Sequence, residues 1–184
     1  KAFERRKKWE ETHPTVATQN QKAIKTSYTI DVLSKITKGK AVVVTDVGQH
    51  QMWVAQYYQF QNPRNQITSG GLGTMGFGFP AAIGAKLGRP NDTVLAVCGD
   101  GSFQMNMQEF STAVANNLDL KIVLINNGHH GMVRQWQTLF FNSNYSCSKF
   151  DLNPSYVKIA QSYGAKAFTI DSPKDLESSL KEGF

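Results

Sequence analysis

The fold of this chain is decided by the stretch TVLAVCGDGS at residues 93–102. Residues 93–97 form an almost continuously apolar run, which is typical of a strand buried on both faces of a parallel sheet. The Gly-Asp-Gly that follows consists of residues favoured in turns, so the strand is expected to end there. Apolar runs of the same kind occur at residues 41–44 and 121–125, and residues 165–170 are a fourth candidate strand.

Segments with a helical spacing of apolar residues separate these strands. The candidate helices are a segment with Ile30, Leu33 and Ile36 on one face, residues 76–87, a segment with Phe103, Met107, Phe110 and Val114 on one face, residues 154–163, and a last helix that opens at Ser172 and Pro173. Strands that alternate with helices in this way predict the α/β class. We therefore expect a three-layer α/β/α sandwich with a mainly parallel central sheet.

The composition indicates one globular domain and no membrane or nucleic-acid partner. The chain has 184 residues with 40% hydrophobic and 18% charged residues, enough for one full core. No apolar run approaches the roughly 20 residues that cross a bilayer. The formal charge of +6 is scattered along the chain instead of forming a basic face. Residues 1–25 mix polar and charged types without periodicity, so we expect them to be a linker that trails from a preceding domain, with residues 26–184 forming the domain itself.

Functional residues are expected where the strands end, because parallel sheets bind ligands at the carboxyl ends of their strands. The turn at residues 99–102 leads into a helix whose free backbone N–H groups suit a phosphate, and Asp100 offers the hard oxygen ligand that Mg²⁺ prefers. By itself such a turn more often binds nothing. One right-handed crossover, however, brings the next strand end and its Asn127 beside Asp100. The two side chains are therefore candidates for one Mg²⁺ site that also holds phosphate oxygens.

The pairing of Gly-Asp-Gly with Asn126-Asn127 across one helix and one strand resembles the signature of thiamine diphosphate-dependent enzymes. Three further segments are similar to acetolactate synthase in order and spacing: VGQHQMW at residues 47–53, GGLGTMG at 70–76 and GMVRQW at 131–136. The resemblance implies that residues 26–184 are the carboxyl-terminal thiamine diphosphate-binding domain of a catalytic large subunit.

The resemblance also assigns roles to the residues at the strand ends. The side chains of Asp100 and Asn127 and the backbone carbonyl of His129 would hold the metal. The Gly73 carbonyl would receive the pyrimidine amino group, and Met75 would be the wedge that bends the cofactor so that its own nitrogen reaches the reactive carbon. The other implied cofactor contacts are Gln49, His50, Gly99, Gly101, Ser102, His130, Gly131, Met132 and Val133, and Trp136 would border the substrate channel.

The implied reaction decarboxylates pyruvate and joins it to pyruvate or 2-ketobutyrate, giving 2-acetolactate or 2-aceto-2-hydroxybutyrate for branched-chain amino-acid biosynthesis. FAD would belong to the full-length enzyme and not to this domain. A second catalytic subunit, in a homodimer or homotetramer, would supply the catalytic glutamate, and a regulatory small subunit is a further implied partner. The chain alone is expected to be inactive. Its compartment would be the cytoplasm in a bacterium, and a plastid or mitochondrion in a eukaryote.

Other functions share parts of this pattern. Another thiamine diphosphate-dependent decarboxylase, carboligase or pyruvate oxidase would have the same metal motif, and a non-catalytic cofactor-binding or assembly module would have the same fold. A Mg²⁺-dependent phosphatase lacks a nucleophile motif near Asp100, and a zinc site at His129 and His130 lacks further ligands nearby. Met75 and Trp136 could equally be packing residues.

Overall fold

The computed structural model of the chain describes residues 4–5, 8, 11–12 and 22–184. Four parallel strands form one sheet in the order β2-β1-β3-β4. The strands are β1 (Val42–Thr45), β2 (Gln66–Thr68), β3 (Val94–Gly99) and β4 (Leu120–Ile125). The expected parallel sheet is therefore confirmed. Most of the expected linker, residues 1–25, lies outside the described residues, so the domain boundary stays a prediction.

Within residues 22–184, eight α-helices lie before, between or after the strands. They are α1 (Thr26–Ile36), α2 (Gln49–Tyr57), α3 (Gly78–Gly88), α4 (Asp100–Phe103), α5 (Phe110–Ala115), α6 (Gly131–Phe140), α7 (Tyr156–Ser162) and α8 (Leu176–Glu182), with a 3₁₀ turn at Met107–Glu109 before α5. In the described part of the chain, no helix combines the length and the apolar composition needed to cross a membrane.

Alternate residues of the central strands enter two cores on opposite faces of the sheet. Val94, Ala96 and Cys98 face a core that contains α3 and a cluster of phenylalanine rings, with centroids 5.0 to 5.6 Å apart. Leu95 and Val97 face the other core, which α1, α2 and α8 cover. Helices on both faces confirm the three-layer sandwich, because a strand buried on both sides needs apolar partners on both sides.

Two elements, one strand and one helix, were not expected from the sequence. The strand β2 contains only three residues, and its Gln66 and Thr68 are polar, so it lacks the apolar run that marks the other strands. The helix α2 has no sustained apolar face, since only His50 and Val54 are buried. Both elements are stabilised by their neighbours and not by a pattern of their own.

The expected strand at residues 165–170 is wrong, because this segment runs without regular structure and pairs with no strand. Ala165 and Ala167 pack against one core and Ile170 against the other, so burial alternates as it would in a strand. Their backbone nevertheless lies outside the ladder, and β4 is an edge strand among the described residues. Alternation shows which side chains are buried, and it does not show whether the backbone pairs.

Two helix expectations also need correction. The helix expected to contain Phe103 and Phe110 is broken into α4, the 3₁₀ turn and α5, because Asn106 leaves the helical region at φ −138° and ψ 24°. The last helix begins at Leu176 and not at Ser172 and Pro173, which form a separate turn before it. The apolar side chains expected to be buried at residues 103 and 110 are nevertheless buried.

We expect Leu95→Ala to lower the free energy of unfolding by about 3 kcal/mol, because a fully buried leucine leaves a cavity in the most enclosed strand. Leu152→Ala is the matched control, since this leucine is 80% exposed and its loss should change stability by less than about 0.5 kcal/mol. Urea unfolding of the purified chain measures both. Equal losses in the two variants would contradict the assignment of β3 as the centre of the core.

Candidate functional site

A cavity of about 460 Å³ opens at the carboxyl ends of β1, β3 and β4. All of the site residues named from the sequence line it except Gly73. They are Gln49, His50, Met75, Gly99, Asp100, Gly101, Ser102, Asn127, His129, His130, Gly131, Met132, Val133 and Trp136. The parallel register explains this convergence, because Thr45 pairs with Val97 and Gly99 pairs with Ile125, which aligns the three strand ends.

The Asp100 carboxylate connects the ends of β3 and β4. Its Oδ1 accepts a hydrogen bond from the N–H of Gly101 at 2.9 Å, and its Oδ2 accepts one from the N–H of Gly128 at 2.6 Å. Asn127 lies beside that glycine, and its Oδ1 accepts from the N–H of His129 at 2.9 Å. The crossover therefore brings Asp100 and the Asn127 loop together as the sequence predicts.

The two neighbouring histidines have different surroundings. The Nδ1 of His129 lies 2.7 Å from the backbone carbonyl of Asn127, whereas the ring of His130 packs edge-on against Phe150 with centroids 4.6 Å apart. Within the described residues, no three His, Cys, Asp or Glu side chains are grouped to hold a metal ion. A metal at this site would therefore need oxygen ligands from outside the protein as well as from Asp100 and Asn127.

The segment at residues 148–150 covers the loop that carries these histidines. The N–H of His130 donates to the carbonyl of Ser148 at 2.8 Å, and the N–H of Phe150 donates to the carbonyl of Gly128 at 2.9 Å. The sequence carries no motif for this contact. It nevertheless holds the loop backbone in place without using the loop's side chains.

His50 is buried beneath the cavity, with its ring against two glycines. A Cβ atom at Gly48 or Gly99 would lie 3.0 to 3.1 Å from this ring, so both positions allow the ring to approach the backbone. Burial lowers the pKa of His50 to about 4 from its ordinary 6.5, although the Asp46 carboxylate acts in the opposite direction. The imidazole is therefore neutral at pH 7, and its buried Nε2 has no hydrogen-bond partner within the described residues.

Gln49 lies across the cavity between α2 and α6. Its Nε2 donates to Oε1 of Gln135 at 2.9 Å. A Cβ atom at Gly131 would lie 2.3 Å from the Oε1 of Gln49, so a larger residue here would require the glutamine side chain to move. Glycine at the start of α6 therefore allows two chain segments to meet at the cavity wall.

The wall along α6 continues beyond the residues named from the sequence. Met132, Val133 and Trp136 line the cavity, and so do Gln137 and Phe141. Val133, Gln137 and Phe141 are spaced by four residues, so extending the helical period from Val133 would have identified the last two. Trp136 is 59% exposed and stacks edge-on with Phe140, which is not the burial of an ordinary core residue.

Gly73 is the named residue that does not line the cavity. It lies at a left-handed φ of +66° in the exposed loop that leads to Met75, which does line the cavity. The N–H of Thr74 donates to Oγ of Ser69 at 3.0 Å across the base of this loop. The structure thus brings Met75 to the cavity, whereas Gly73 does not line it.

Comparison with known proteins gives a consistent result. The family model described as thiamine pyrophosphate enzyme, C-terminal TPP binding domain, matches residues 46–184. The acetolactate synthase large subunit of Lactococcus lactis is 52% identical over 158 residues, which are 86% of this chain and 28% of that protein. The acetolactate synthase isozyme 3 large subunit of Escherichia coli is 49% identical over 159 residues, again 86% of this chain and 28% of that protein. The chain therefore spans little more than a quarter of the length of these relatives.

A plant protein and a solved structure also match most of this chain. Acetolactate synthase 2, chloroplastic, of Nicotiana tabacum is 45% identical over 167 residues, covering 87% of this chain and 25% of that protein. Among solved structures, the thiamine diphosphate-dependent 4-hydroxybenzoylformate decarboxylase of Rhodococcus jostii superposes with a TM-score of 0.82 at 20% identity, over 91% of this chain and 32% of that one. The structural likeness supports the fold alone.

We expect the folded protein, measured without added ligands, to lose stability through His50 as the pH falls from about 6.5 to about 4. In this window the unfolded chain binds a proton that the buried imidazole does not bind, so protonation favours unfolding. The loss is at most about 3 kcal/mol. Urea unfolding at pH 7 and pH 4.5 should show a smaller loss in His50→Gln than in the wild type. The same loss in both proteins would refute this assignment.

Proposed function

This chain belongs to the thiamine pyrophosphate enzyme family, as a C-terminal TPP-binding domain, and we propose that it is the cofactor domain of an acetolactate synthase large subunit. The observation that carries the proposal is the convergence of Asp100, Asn127 and the Gln49-His50 pair on one cavity. The relatives that are 45 to 52% identical are acetolactate synthases, which supports this reaction among the activities of the cofactor class.

The cavity has the chemistry that a diphosphate needs. The buried Nε2 of His50 has no hydrogen-bond partner in the described part of the chain, and a buried polar atom without a partner costs about 1–3 kcal/mol unless a ligand satisfies it. The N–H groups in the first turn of α6 have no partner inside the helix and carry the positive end of its dipole. A Cβ atom at Gly101 would lie 2.8 Å from the Phe150 ring and 3.0 Å from the His130 ring, so glycine keeps this wall close. The residues present therefore fit thiamine diphosphate.

We propose that Mg²⁺ is held by the side chains of Asp100 and Asn127 and by the backbone carbonyl of His129. One carboxylate and two neutral oxygens do not complete the octahedral shell that Mg²⁺ requires. Diphosphate oxygens and water would supply the rest. A site of this composition would need no acidic cluster among the described residues, and its metal binding would depend on the cofactor.

When bound, thiamine diphosphate supplies the electron sink that allows pyruvate to lose carbon dioxide. The chain's own residues would bind and orient. Gly73 would accept a hydrogen bond from the pyrimidine amino group through its carbonyl, and Met75 would support the bent conformation of the cofactor. Met132 and Val133 would border the reacting centre and exclude water. Trp136 would pack against the second 2-keto acid and favour 2-ketobutyrate.

The remaining parts of the active enzyme would come from other chain segments. A second catalytic subunit, in a homodimer or homotetramer, would supply the glutamate on the pyrimidine ring. FAD would bind elsewhere in the full-length enzyme, and a regulatory small subunit would associate with it. The products, 2-acetolactate or 2-aceto-2-hydroxybutyrate, would enter branched-chain amino-acid biosynthesis in the bacterial cytoplasm, or in a plastid or mitochondrion of a eukaryote.

A cofactor-binding module without activity of its own is the second candidate for the isolated chain. The observation that favours it is the exposure of the cavity wall, where Trp136 is 59% and Phe141 58% exposed. Water would reach the reacting centre unless another subunit or domain covered this wall. Catalysis is therefore attributed to the full-length protein.

We expect the full-length protein to bind thiamine diphosphate in a Mg²⁺-dependent manner, with affinity reduced at least about tenfold in Asn127→Ala, a loss of about 1.4 kcal/mol. Asp100→Ala should behave similarly, and excess cofactor should partly restore its activity, because the metal anchors the diphosphate. Asn116→Ala is the matched control, because the side-chain amide of Asn116 donates its hydrogen bond to the backbone carbonyl of Thr112 in the same helical region. Calorimetric titration measures the cofactor affinity of the wild type and of all three variants, and an activity assay at excess cofactor measures the restoration in Asp100→Ala. Normal cofactor binding by Asp100→Ala would overturn the metal assignment.

We expect Trp136→Leu in the full-length protein to lower the preference for 2-ketobutyrate over pyruvate by about tenfold, because an apolar contact with one methylene is worth about 1–3 kcal/mol. The measurement is a competition between the two acceptors, with both products quantified. Leu139→Ala, on the same helix but outside the cavity, should leave the ratio unchanged. An unchanged ratio in Trp136→Leu would remove the indole from substrate selection.

A further inference from the structure

Two of the three hydrogen bonds that Asp46 accepts attach the segment after Met75 to the end of β1. The carboxylate of Asp46 is fully buried at that strand end. Its Oδ1 accepts from the N–H of Val47 at 2.7 Å and from the N–H of Gly76 at 2.9 Å, and its Oδ2 accepts from the N–H of Gly78 at 3.0 Å. Because ionised acceptors form stronger and more directional hydrogen bonds than neutral ones, the carboxylate is a stiff anchor.

Asn106 binds the carbonyl group of Gly76, whereas Asp46 binds its N–H group. The Nδ2 of Asn106 donates to the carbonyl of Gly76 at 2.7 Å. A Cβ atom at Gly76 would lie 2.7 Å from this nitrogen and 3.0 Å from the Cβ of Met105, and the φ of +88° also favours glycine. Both backbone hydrogen-bonding groups of Gly76 are therefore used, and no larger residue fits. Asn106 makes this contact from the point where the helix expected over residues 103–114 is interrupted.

The clamped glycine lies next to the residue that reaches the cavity. Met75 lines the cavity, whereas residues 70–74 before it are exposed. The position of Met75 along the wall is therefore set from its carboxyl side. Asp46 follows β1 directly, and Asn106 lies between α4, which follows β3, and the 3₁₀ turn, so the clamp relates the loop to two separate parts of the fold.

We propose that Asp46 and Asn106 are positioning residues, which hold the Gly76 peptide groups and thereby fix Met75 and the Gly73 carbonyl against the cofactor. This inference rests on the proposed function, in which these two residues support the bent cofactor. A misplacement of about 1 Å can reduce a reaction rate about a hundredfold. Loss of the clamp should therefore slow turnover. Cofactor affinity should change little, because the diphosphate anchors Asp100 and Asn127 lie at other strand ends.

A purely structural role makes a different prediction. Asn106→Ala would then lower the unfolding temperature and leave kcat of the folded fraction unchanged. A positioning role lowers kcat at saturating pyruvate and cofactor, while the Kd for thiamine diphosphate stays near the wild-type value. A loss of kcat in the folded protein therefore indicates a positioning role, and a lower unfolding temperature with unchanged kcat indicates a structural one.

The experiment compares Asn106→Ala with Asn116→Ala in the full-length protein with Mg²⁺ and thiamine diphosphate. Each variant removes one hydrogen bond from a side-chain amide to a backbone carbonyl, but only in Asn106→Ala does that carbonyl belong to the residue next to Met75, which lines the cavity. We expect kcat to fall about tenfold or more in Asn106→Ala, with less than about a threefold change in cofactor Kd, and no change in Asn116→Ala. Asp46→Asn, compared with Asp31→Asn on α1, should show the same pattern. The asparagine pair remains decisive if the buried aspartate variant fails to fold.

A second measurement tests the clamp without the cofactor. Hydrogen–deuterium exchange followed by mass spectrometry should show faster exchange in the peptide covering residues 69–79 of Asn106→Ala, and not in Asn116→Ala. Unchanged exchange there, or a kcat within twofold of the wild type, would overturn the inference. Failure of the wild-type protein to bind thiamine diphosphate would instead overturn the proposed function and the catalytic role of the clamp. Faster exchange would in that case show a clamp that serves the loop alone.

Discussion

The burial of β3 between β1 and β4 is the constraint on which the rest of the structure depends. Its residues Val94 to Cys98 are inaccessible to water and alternate between two cores, so the strand can neither slide nor turn without exposing one of them. The fixed register places the three strand ends at one edge of the sheet. The residues that follow these ends therefore share a cavity, although long stretches of sequence separate them.

Backbone N–H groups compensate the two carboxylates buried at this edge. Asp46 accepts three such hydrogen bonds, two of them from residues distant in the chain, and Asp100 accepts two, one of them from a distant loop. A buried carboxylate needs compensation of this kind because its charge is otherwise costly to remove from water. The carboxylates therefore serve the fold as well as the site, since each joins a loop to the end of a strand.

A second feature of the site is that several side chains lie close to the backbone of glycine residues. The rings of His50 and His130 and the amide of Gln49 each lie where a Cβ atom on a neighbouring glycine would collide with them. Glycine at these positions makes the cavity narrow at its base, where a diphosphate would bind. Toward α6 the wall instead consists of larger and mostly apolar side chains, which suit the alkyl group of a keto acid better than a diphosphate. The two ends of the cavity thus differ in chemistry as the proposed function requires.

The sequence alone determined the α/β class, three of the four strands and the convergence of Asp100, Asn127 and Gln49-His50, because these follow from apolar runs, crossover handedness and motifs. It did not determine β2, α2, the irregular path of residues 165–170 or the break at Asn106. These features depend on hydrogen bonds between residues far apart in the chain, such as the bond from Asn106 to Gly76. Periodicity records which side chains avoid water. Only the tertiary structure decides which backbone groups find partners, because that choice depends on distances between elements that no local pattern contains.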